Sequence, residues 1–386
     1  MRDAGCARTA SRTIAVQSMR KWPISLLVIA ILLVAVAGIR ILKQEPLYHT
    51  QSYVFGTLVD ISIYGEPEER AKKLANDVLQ DFQNLHHQLH AWNAPSSNQP
   101  SELGALNAAF ARGNQPITIS PQLASMLANA TDLSVKSQGL FNPAIGHLVS
   151  SWGFQRDEFT AVNIDDAKIK ALVQANPRMS DIVIKENSAY SSNPNVKLDL
   201  GGYAKGYALD MAADYLRNQQ VKNALINIGG NIIALGQHGE KPWRVGIQHP
   251  RKPAAIATLE LADGWAIGTS GDYQRYFMLD GKRYCHVIDP RSGYPVQHTQ
   301  SVTVLIPPQK NAGVLSSGVL SDVASKPIFI AAAEEKAKTA ALLGIQYFMV
   351  IDQQSNIFVS SALAQQVEWL DPEVNKNNHV KLITLN

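Results

Sequence analysis

The sequence is poor in cysteine. Its two cysteines, Cys6 and Cys285, lie on either side of a long apolar run. We therefore expect them on opposite sides of a membrane, and we expect no structural disulfide. No Cys-x-x-Cys or other zinc-ligand spacing is present. Cys285 adjoins His286, and a neighbouring histidine could activate a cysteine nucleophile. We favour the interpretation that Cys285 is a small, buried, structural residue near a site.

Several catalytic and binding signatures are also missing. The sequence lacks Gly-x-Ser-x-Gly, His-Glu-x-x-His, an aspartic dyad and the Walker A order of glycines, lysine and hydroxyl. The formal net charge is only +3, and part of this excess precedes Gln44. No basic stripe interleaves with aromatic residues, so we expect no nucleic-acid partner.

A charge-free apolar run dominates the N-terminus. It extends from Trp22 to Ile39 and directly follows Arg20 and Lys21. Such a run with a basic N-terminal flank is typical of a transmembrane helix whose start faces the cytoplasm. A cleaved signal peptide is the alternative, because an Ala-Val-Ala sequence near the end of the run offers a cleavage site.

These features divide the chain into four predicted parts. Residues 1–21 form a basic cytoplasmic tail, 22–42 a transmembrane anchor or signal peptide, and 43–52 a linker. Residues 53–386 form the exported domain, which is long enough for one large or two closely packed units. The expected location is the inner membrane, with the exported domain in the periplasm.

Hydrophobic periodicity predicts helices mixed with hairpins. Tyr53–Tyr64 alternates as a strand, and Glu66–His90 has apolar residues at helical spacing. Lys197–Leu200 is predicted as a short strand and Ala204–Gln219 as an amphipathic helix. An Asp-Gly pair after Leu279 is a hairpin signal. The mixture predicts an α+β fold with mainly antiparallel sheets and packed helices, rather than a doubly wound sheet.

Two glycine-containing segments are candidates for anion binding. In Leu198–Tyr207 a predicted strand ends at Asp199, a glycine pair follows, and a helix begins near Ala204. Glycines permit a ligand close to the backbone, a helix N-terminus favours an anion, and Lys205 could reach a phosphate. Ile226–Asn231 could form a second backbone nest. Either segment alone is equally compatible with an ordinary turn.

Three further segments carry side chains suited to catalysis or binding. Thr269–Tyr273 closes a strand with small residues, a hydroxyl and a carboxylate. In the dense turn His286–Pro295, His286 and Asp289 are three residues apart, close enough for a general base and its partner. A helix start carries Asp322, which is either a ligand for a hard cation such as Mg²⁺ or an ordinary N-terminal helix carboxylate.

Together, and in this order, these segments resemble the ApbE family of FAD:protein FMN transferases. The resemblance covers Tyr53 to Leu343 and is most specific in Leu198–Tyr207, Ile226–Asn231, Thr269–Tyr273 and His286–Pro295. It implies a T-fold-related structure that binds FAD in a cleft between two lobes, with Mg²⁺ at the pyrophosphate. It also implies transfer of FMN to a threonine or serine hydroxyl of an acceptor protein, with release of AMP.

The resemblance assigns a role to each matching position. The FAD-binding positions are Phe55, Trp92, Leu140, Phe141, Asn142, Asp199, Lys205, Ser270, Asp272 and Ile288. The metal positions are the Gly202 carbonyl, Asp322 and Ser325. The catalytic positions are His286, as general base for the acceptor hydroxyl, and Asp289, which would orient or tune it.

Three positions depart from the family pattern. Phe55 stands where the family has Met and keeps an apolar contact. Asn142 replaces an Asp and keeps the size but loses the charge. Lys326 stands where the family commonly has Thr. A protonated lysine cannot ligate a cation, so Ser325 could substitute as a weak ligand, or Lys326 could itself neutralise phosphate charge.

The resemblance also implies partners. A membrane tether would place the chain beside membrane electron-transport complexes, so acceptor subunits of the Na⁺-pumping quinone reductase or Rnf type are expected. Two other functions stay open: an FAD pyrophosphatase that releases FMN and AMP, and a non-catalytic FAD-binding carrier. The presence of His286, Asp289 and Asp322 argues against the carrier.

Overall fold

The computed structural model describes residues 28, 29, 31 and 46–384, apart from 93–99, 114, 157, 310–315, 373 and 375–379. The predicted tail and almost all of the predicted anchor lie outside these described residues. Within the described part, no helix combines the length and the apolar character needed to span a bilayer. Residues Pro46–Asn386 form a compact unit of their own.

The helices and strands of this unit are numbered in chain order. The helices are α1 (Glu68–Gln88), α2 (Glu102–Ala111), α3 (Pro121–Lys136), α4 (Gly146–Ser151), α5 (Asp166–Ala175), α6 (Ala204–Asn218), α7 (Ser317–Ile330), α8 (Lys336–Leu342) and α9 (Ser361–Ala364). The first strands are β1 (Leu47–Val54), β2 (Thr57–Tyr64), β3 (Ile117–Thr118), β4 (Ile182–Lys185), β5 (Ser188–Ser191), β6 (Asn223–Ile228), β7 (Asn231–Leu235), β8 (Trp243–Gln248) and β9 (Ala255–Leu261). The later strands are β10 (Ala266–Gly271), β11 (Tyr276–Leu279), β12 (Lys282–Cys285), β13 (Thr299–Ile306), β14 (Tyr347–Asp352), β15 (Ile357–Ser360), β16 (Val367–Trp369) and β17 (Val380–Ile383).

A nine-stranded sheet organises the fold. Its order is β1-β2-β6-β7-β10-β13-β14-β15-β17. The paired neighbours run antiparallel except for β15 and β17, which are parallel. Smaller sheets join β16-β9-β8, β3-β5-β4 and β11-β12. The predicted α+β fold of mainly antiparallel sheets with packed helices is confirmed.

The central strands of this sheet are buried on both faces. Successive side chains of a strand point to opposite sides. In β7, Ile233 and Leu235 join the apolar core that includes α6 and α7, whereas Ile232 and Ala234 pack with β8 and β9. The sheet is therefore the middle layer, with helices on one face and the β16-β9-β8 sheet on the other.

Helix α7 lies inside the molecule rather than on its surface. Nearly all of its residues are buried, including the polar Ser321, Asp322 and Ser325. The Asp210 carboxylate of α6 accepts hydrogen bonds from the backbone N–H groups of Gly318 and Val319, at 2.8 and 2.7 Å. Lys336 donates to the carbonyl of Ile328 at 2.8 Å. Both ends of α7 are therefore held by buried side chains.

Two predictions at the start of the domain are wrong. The predicted linker 43–52 overlaps β1, which pairs with β2 from Leu47 onward. The predicted single strand Tyr53–Tyr64 is instead the end of β1, a turn and β2. Phe55 and Gly56 make the turn, with φ angles of 56° and 69°. The positive φ at Phe55 is unusual for a bulky residue, so the alternating pattern gave no sign of the turn.

The predicted strand Lys197–Leu200 is also wrong. Lys197 forms only an isolated β-bridge with Ile145, and the Asn107 amide bonds to both backbone groups of Leu198. The N–H of Leu198 donates to Oδ1 of Asn107 at 2.7 Å, and Nδ2 donates to the Leu198 carbonyl at 2.9 Å. This clamp leads the chain into the glycine turn that begins the candidate site.

Candidate active site

The glycine turn delivers the N-terminus of α6. The Asp199 carboxylate accepts a hydrogen bond from the N–H of Gly201 at 2.8 Å. The N–H of Ala204 then donates to the carbonyl of Leu200 at 2.9 Å as the helix begins. The first turn of α6 has no side-chain cap and contains Lys205. A helix N-terminus and a lysine together favour a phosphate or another anion.

Helices α6 and α7 approach each other through two glycines. A Cβ atom added to Gly206 would lie 2.4 Å from the carbonyl oxygen of Gly318. A Cβ added to Gly318 would lie 2.6 Å from the carbonyl oxygen of Gly206. Only glycine fits both positions without displacing a backbone. This contact brings the Asp322 carboxylate of α7 to the N–H of Gly206, at 3.0 Å.

Asp322 is the buried carboxylate at the centre of the site. Its Oδ2 atom accepts from Gly206, and its Oδ1 atom accepts from the Lys326 ammonium at 2.6 Å. Burial alone would raise the pKa of Asp322, but the charges of Lys326 and Lys205 outweigh it and hold the pKa below its usual range. The carboxylate is therefore ionised, and each of its two oxygens accepts a hydrogen bond.

The end of β10 lies beside α7. The hydroxyls of Ser270 and Ser325 are 2.7 Å apart, which brings a predicted FAD-binding residue to a predicted metal ligand. Asp272, two residues further on, forms ion pairs with Arg251 at 2.7 and 2.6 Å and with Arg283 at 3.3 Å. The Asp272 carboxylate, which was predicted to bind FAD, therefore pairs with two arginines.

His286 sits among positive charges. Its Nδ1 atom lies 3.3 Å from the carbonyl oxygen of Arg275. Burial lowers the pKa of His286 to about 3, and three nearby cations add to the effect. The cations are Arg275, Lys205 and Lys326. The imidazole is thus neutral at physiological pH and able to accept a proton. An anion bound to the same cations would raise its pKa.

Asp289 and Cys285 have other partners than the sequence suggested. The Asp289 carboxylate bonds to the Arg291 guanidinium at 2.9 to 3.2 Å. Among the described residues, Asp289 and His286 share no hydrogen bond. Burial raises the pKa of the Cys285 thiol to about 12, which is typical of an unreactive, buried cysteine. The structural interpretation of Cys285 therefore holds.

Two aromatic residues predicted to contact FAD lie in the β1–β2 turn and just after α1. The Phe55 ring packs against Phe82 and His86, with centroids 5.9 and 5.7 Å apart. The ammonium of Lys197 lies 4.1 Å above the ring of Trp92. A cation on an aromatic face is a favourable contact, and it links Trp92 to the segment that precedes the glycine turn.

The remaining predicted contacts form buried walls. Leu140 and Phe141 are both buried, and an added Cβ on Gly202 would lie 3.8 Å from the Phe141 ring. The Asn142 amide donates to the Pro177 carbonyl at 2.9 Å and accepts from a backbone N–H two residues later. Asn142 also lines a cavity of about 410 Å³. Ile288 is buried in a neighbouring aromatic cluster.

The sequence gave no signal for Arg275. It lies outside the recognised segments, in the link between β10 and β11. Its carbonyl accepts from the backbone N–H of His286 at 3.0 Å, and its guanidinium donates to the carbonyl of Phe154 at 2.9 Å. Arg275 therefore both positions His286 and adds a cation to the site, which only the folded chain brings together.

The expected magnesium ligands are present but already occupied. Mg²⁺ requires a near-octahedral set of oxygen ligands and usually combines carboxylates with water or phosphate. Here the Lys326 ammonium contacts both Oδ1 and the carbonyl oxygen of Asp322, each at 2.6 Å. The Ser325 hydroxyl donates to the same carbonyl at 2.9 Å. Among the described residues, no group of three His, Cys, Asp or Glu could hold a metal ion. The side chains do not fit a resident divalent cation.

The fold is that of the flavin transferases. A flavin transferase ApbE structure from Vibrio cholerae matches with a TM-score of 0.70 and 25% identity, over 83% of this chain and 99% of that one. The ApbE protein structure from Thermotoga maritima matches with a TM-score of 0.72 and 25% identity, over the same shares of the two chains.

The ApbE family model matches residues 55–349, so the chain belongs to the ApbE family. A Rhodobacter capsulatus protein named FAD:protein FMN transferase is 37% identical over 88% of this chain, and the match spans 62% of the length of that relative. A Klebsiella pneumoniae protein of the same name is 34% identical over 68% of this chain and 79% of its own length. The predicted family resemblance is confirmed.

Proposed function

We propose that this chain transfers FMN from FAD to a threonine or serine hydroxyl of an acceptor protein. The observation that carries the proposal is the cationic cluster around His286, formed by Lys205, Arg275 and Lys326. It includes Lys205 in the first turn of α6. Positive side chains at a helix N-terminus suit the pyrophosphate of FAD, and family membership points to this donor.

The reaction balances with the groups of this site. The acceptor hydroxyl oxygen attacks the phosphorus on the FMN side of the pyrophosphate and forms a new phosphoester bond. The bond from that phosphorus to the bridging oxygen breaks, and AMP leaves with the bridging oxygen and its electron pair. The hydroxyl proton passes to Nε2 of His286. Lys205 and Arg275 stabilise the negative charge that accumulates on the phosphate oxygens.

His286 suits the general base because its imidazole is neutral before the donor binds. Binding of the pyrophosphate would offset the neighbouring cations and raise the basicity of the ring. Asp289 acts indirectly in this scheme, through Arg291. It accepts the N–H and guanidinium bonds of Arg291 and so shapes the turn that carries His286. That assignment replaces the direct His–Asp pair expected from the sequence.

The resemblance to the family implies a requirement for magnesium, but the side chains of this site do not fit a magnesium ion. The Asp322 oxygens that would ligate the ion bond to Lys326 instead. We therefore assign the charge stabilisation to the cations of this chain and derive no step through a metal.

The location and the acceptors are proposals drawn from the sequence. The apolar run Trp22–Ile39 with its basic flank supports an inner-membrane anchor and a periplasmic domain. Acceptor subunits of membrane electron-transport complexes, of the Na⁺-pumping quinone reductase or Rnf type, would lie in reach of such a domain. Resistance of the chain to alkaline carbonate extraction from membranes would support the anchor, and its release as a soluble protein would exclude it.

The test of function is AMP release from FAD by the detergent-solubilised full chain. An acceptor fragment with a threonine in a Ser-Gly-Ala-Thr-like context would be added or omitted. AMP that depends on the acceptor, with flavin fluorescence on the denatured acceptor band, supports the transferase. AMP without acceptor indicates the pyrophosphatase. Binding of FAD with no AMP under any condition indicates the carrier.

A further inference from the structure

Lys326 occupies the place where a divalent cation would bind Asp322. Its ammonium contacts Oδ1 and the main-chain carbonyl oxygen of that residue, both at 2.6 Å. The side chain is mostly buried, with 17% of its surface exposed, and that of Asp322 is 1% exposed. A pair so well enclosed is geometrically defined, unlike most pairs on an open surface.

The stem of Lys326 spans the gap between α7 and the glycine turn. A Cβ added to Gly202 would lie 2.9 Å from Cε and 3.0 Å from Cδ of Lys326. The lysine therefore passes directly beside the backbone whose carbonyl was expected to ligate magnesium. The ammonium therefore bonds to Asp322, and the stem of the same lysine passes beside Gly202. The Ser325 hydroxyl donates to the same Asp322 carbonyl that the ammonium contacts.

This ammonium retains bonding capacity for a ligand. An ammonium has three N–H donors, and among the described residues two of them are accounted for by Asp322. The third N–H donor is left for a ligand. The charge of Lys326 is close enough to His286 to help lower its pKa. A fixed cation at this point can neutralise phosphate oxygens without any reorganisation during the reaction.

We propose that Lys326 is a built-in replacement for the divalent cation, so that this chain transfers FMN without a metal ion bound to Asp322. The inference rests on the proposed function, because the charge it supplies acts on the FAD pyrophosphate. Lys326 contacts the phosphate oxygens, which makes it a catalytic residue. Asp322 holds the ammonium in place and is a positioning residue.

The experiment compares four variants of the solubilised full chain with the wild type. Lys326→Met removes the charge but keeps a similar stem, and Lys326→Arg keeps the charge. Lys326→Thr restores the hydroxyl common in the family and frees the carboxylate. Lys338→Met is the matched control, because Lys338 is exposed on α8. AMP release from FAD in the presence of the acceptor fragment is measured in EDTA and across a Mg²⁺ titration, after circular dichroism confirms folding.

The proposal predicts that the wild type and the Lys338→Met control keep their activity in EDTA. In EDTA, Lys326→Met and Lys326→Thr should lose about 100-fold, the usual effect of removing one charge-stabilising donor. Lys326→Arg should keep a measurable part of the activity in EDTA. Mg²⁺ should restore Lys326→Thr. A wild type that is inactive in EDTA and restored by Mg²⁺ would overturn the proposal.

A second readout separates this proposal from the proposed function. Binding of Mn²⁺ without FAD is measured by electron paramagnetic resonance for the wild type and for Lys326→Thr. Binding only to Lys326→Thr supports the ammonium as the occupant of the cation site, even if no protein releases AMP. Equal binding to both proteins refutes it. Absence of AMP from every protein refutes the proposed function alone.

Discussion

The contact between α6 and α7 predicts a large effect of Gly206→Ala. The new methyl carbon would lie 2.4 Å from the carbonyl oxygen of Gly318, 2.7 Å from Cα of Val319 and 2.8 Å from Cβ of Asp322. The first two are backbone atoms of a buried helix and cannot rotate away. Overpacking of this kind costs about 1–3 kcal/mol.

The same substitution also strains the bond that holds the central carboxylate. The N–H of Gly206 donates to Oδ2 of Asp322, and a hydrogen bond to a charged group contributes roughly 1.5–3 kcal/mol. Alanine has a better helix propensity than glycine and returns about 1 kcal/mol. The expected net loss is therefore roughly 1.5–5 kcal/mol, together with a displaced Asp322 and weaker FAD binding.

Urea unfolding followed by circular dichroism measures the loss, and FAD fluorescence titration measures the binding. Gly104→Ala in α2 is the control, because its added Cβ would meet the Ser101 side chain at 3.0 Å and no backbone atom closer than 3.7 Å. The control should change stability by less than about 1 kcal/mol. If Gly206→Ala unfolds at the same urea concentration as the wild type, the glycine contact does not limit the packing of the two helices.

Three further predictions concern titration and buried charge. Because the pKa of His286 is lowered to about 3, its neutral form persists in acid, so kcat/KM for AMP release should stay flat from pH 8 to pH 5; a fall centred near the ordinary value of 6.5 would contradict this. Asp272→Asn leaves Arg251 and Arg283 facing each other and should cost about 1–3 kcal/mol in urea unfolding, less at high salt; a salt-independent loss would argue against the ion pairs. Burial lowers the pKa of Lys336 from 10.5 to about 7. The unfolded chain therefore binds the Lys336 proton more tightly than the folded chain, and the folded chain loses stability as pH falls towards 7. From pH 7 to pH 9 the free energy of unfolding of the wild type should rise by about 2 kcal/mol relative to that of Lys336→Met; parallel pH profiles would exclude such a shift.

The sequence predicted the helices that have a strong apolar period. Helix α6 (Ala204–Asn218) differs by one residue from the predicted Ala204–Gln219. Helix α1 lies within the predicted Glu66–His90. Where a side chain bonds to the backbone of a distant segment, as Asn107 does to Leu198, no local pattern records it. Such contacts join residues far apart in the chain and exist only after folding.

The candidate site divides in the same way. Lys205, His286 and Asp322 stand in segments whose residue types point to phosphate, proton transfer and charge. The structure brings all three together around one cluster. The sequence around Arg275 does not indicate a role in the site, because a single arginine between strands is usually a solvated residue. The expected pairing of His286 with Asp289 rested on proximity along the chain, and the turn instead directs Asp289 towards Arg291.

The Lys326 departure is the point where local sequence and site chemistry meet. Side chains four residues apart lie one above the other on a helix, so residue 326 is placed to reach the Asp322 carboxylate. A threonine at that position is too short to span the distance and would leave the carboxylate open to a cation. A lysine spans it and closes the site with its own charge. The same backbone can therefore place either an exchangeable metal ion or the ammonium of a lysine beside the carboxylate, and residue 326 decides which of the two is present. It follows that metal dependence within this fold should track residue 326 and not the carboxylate, which both arrangements require.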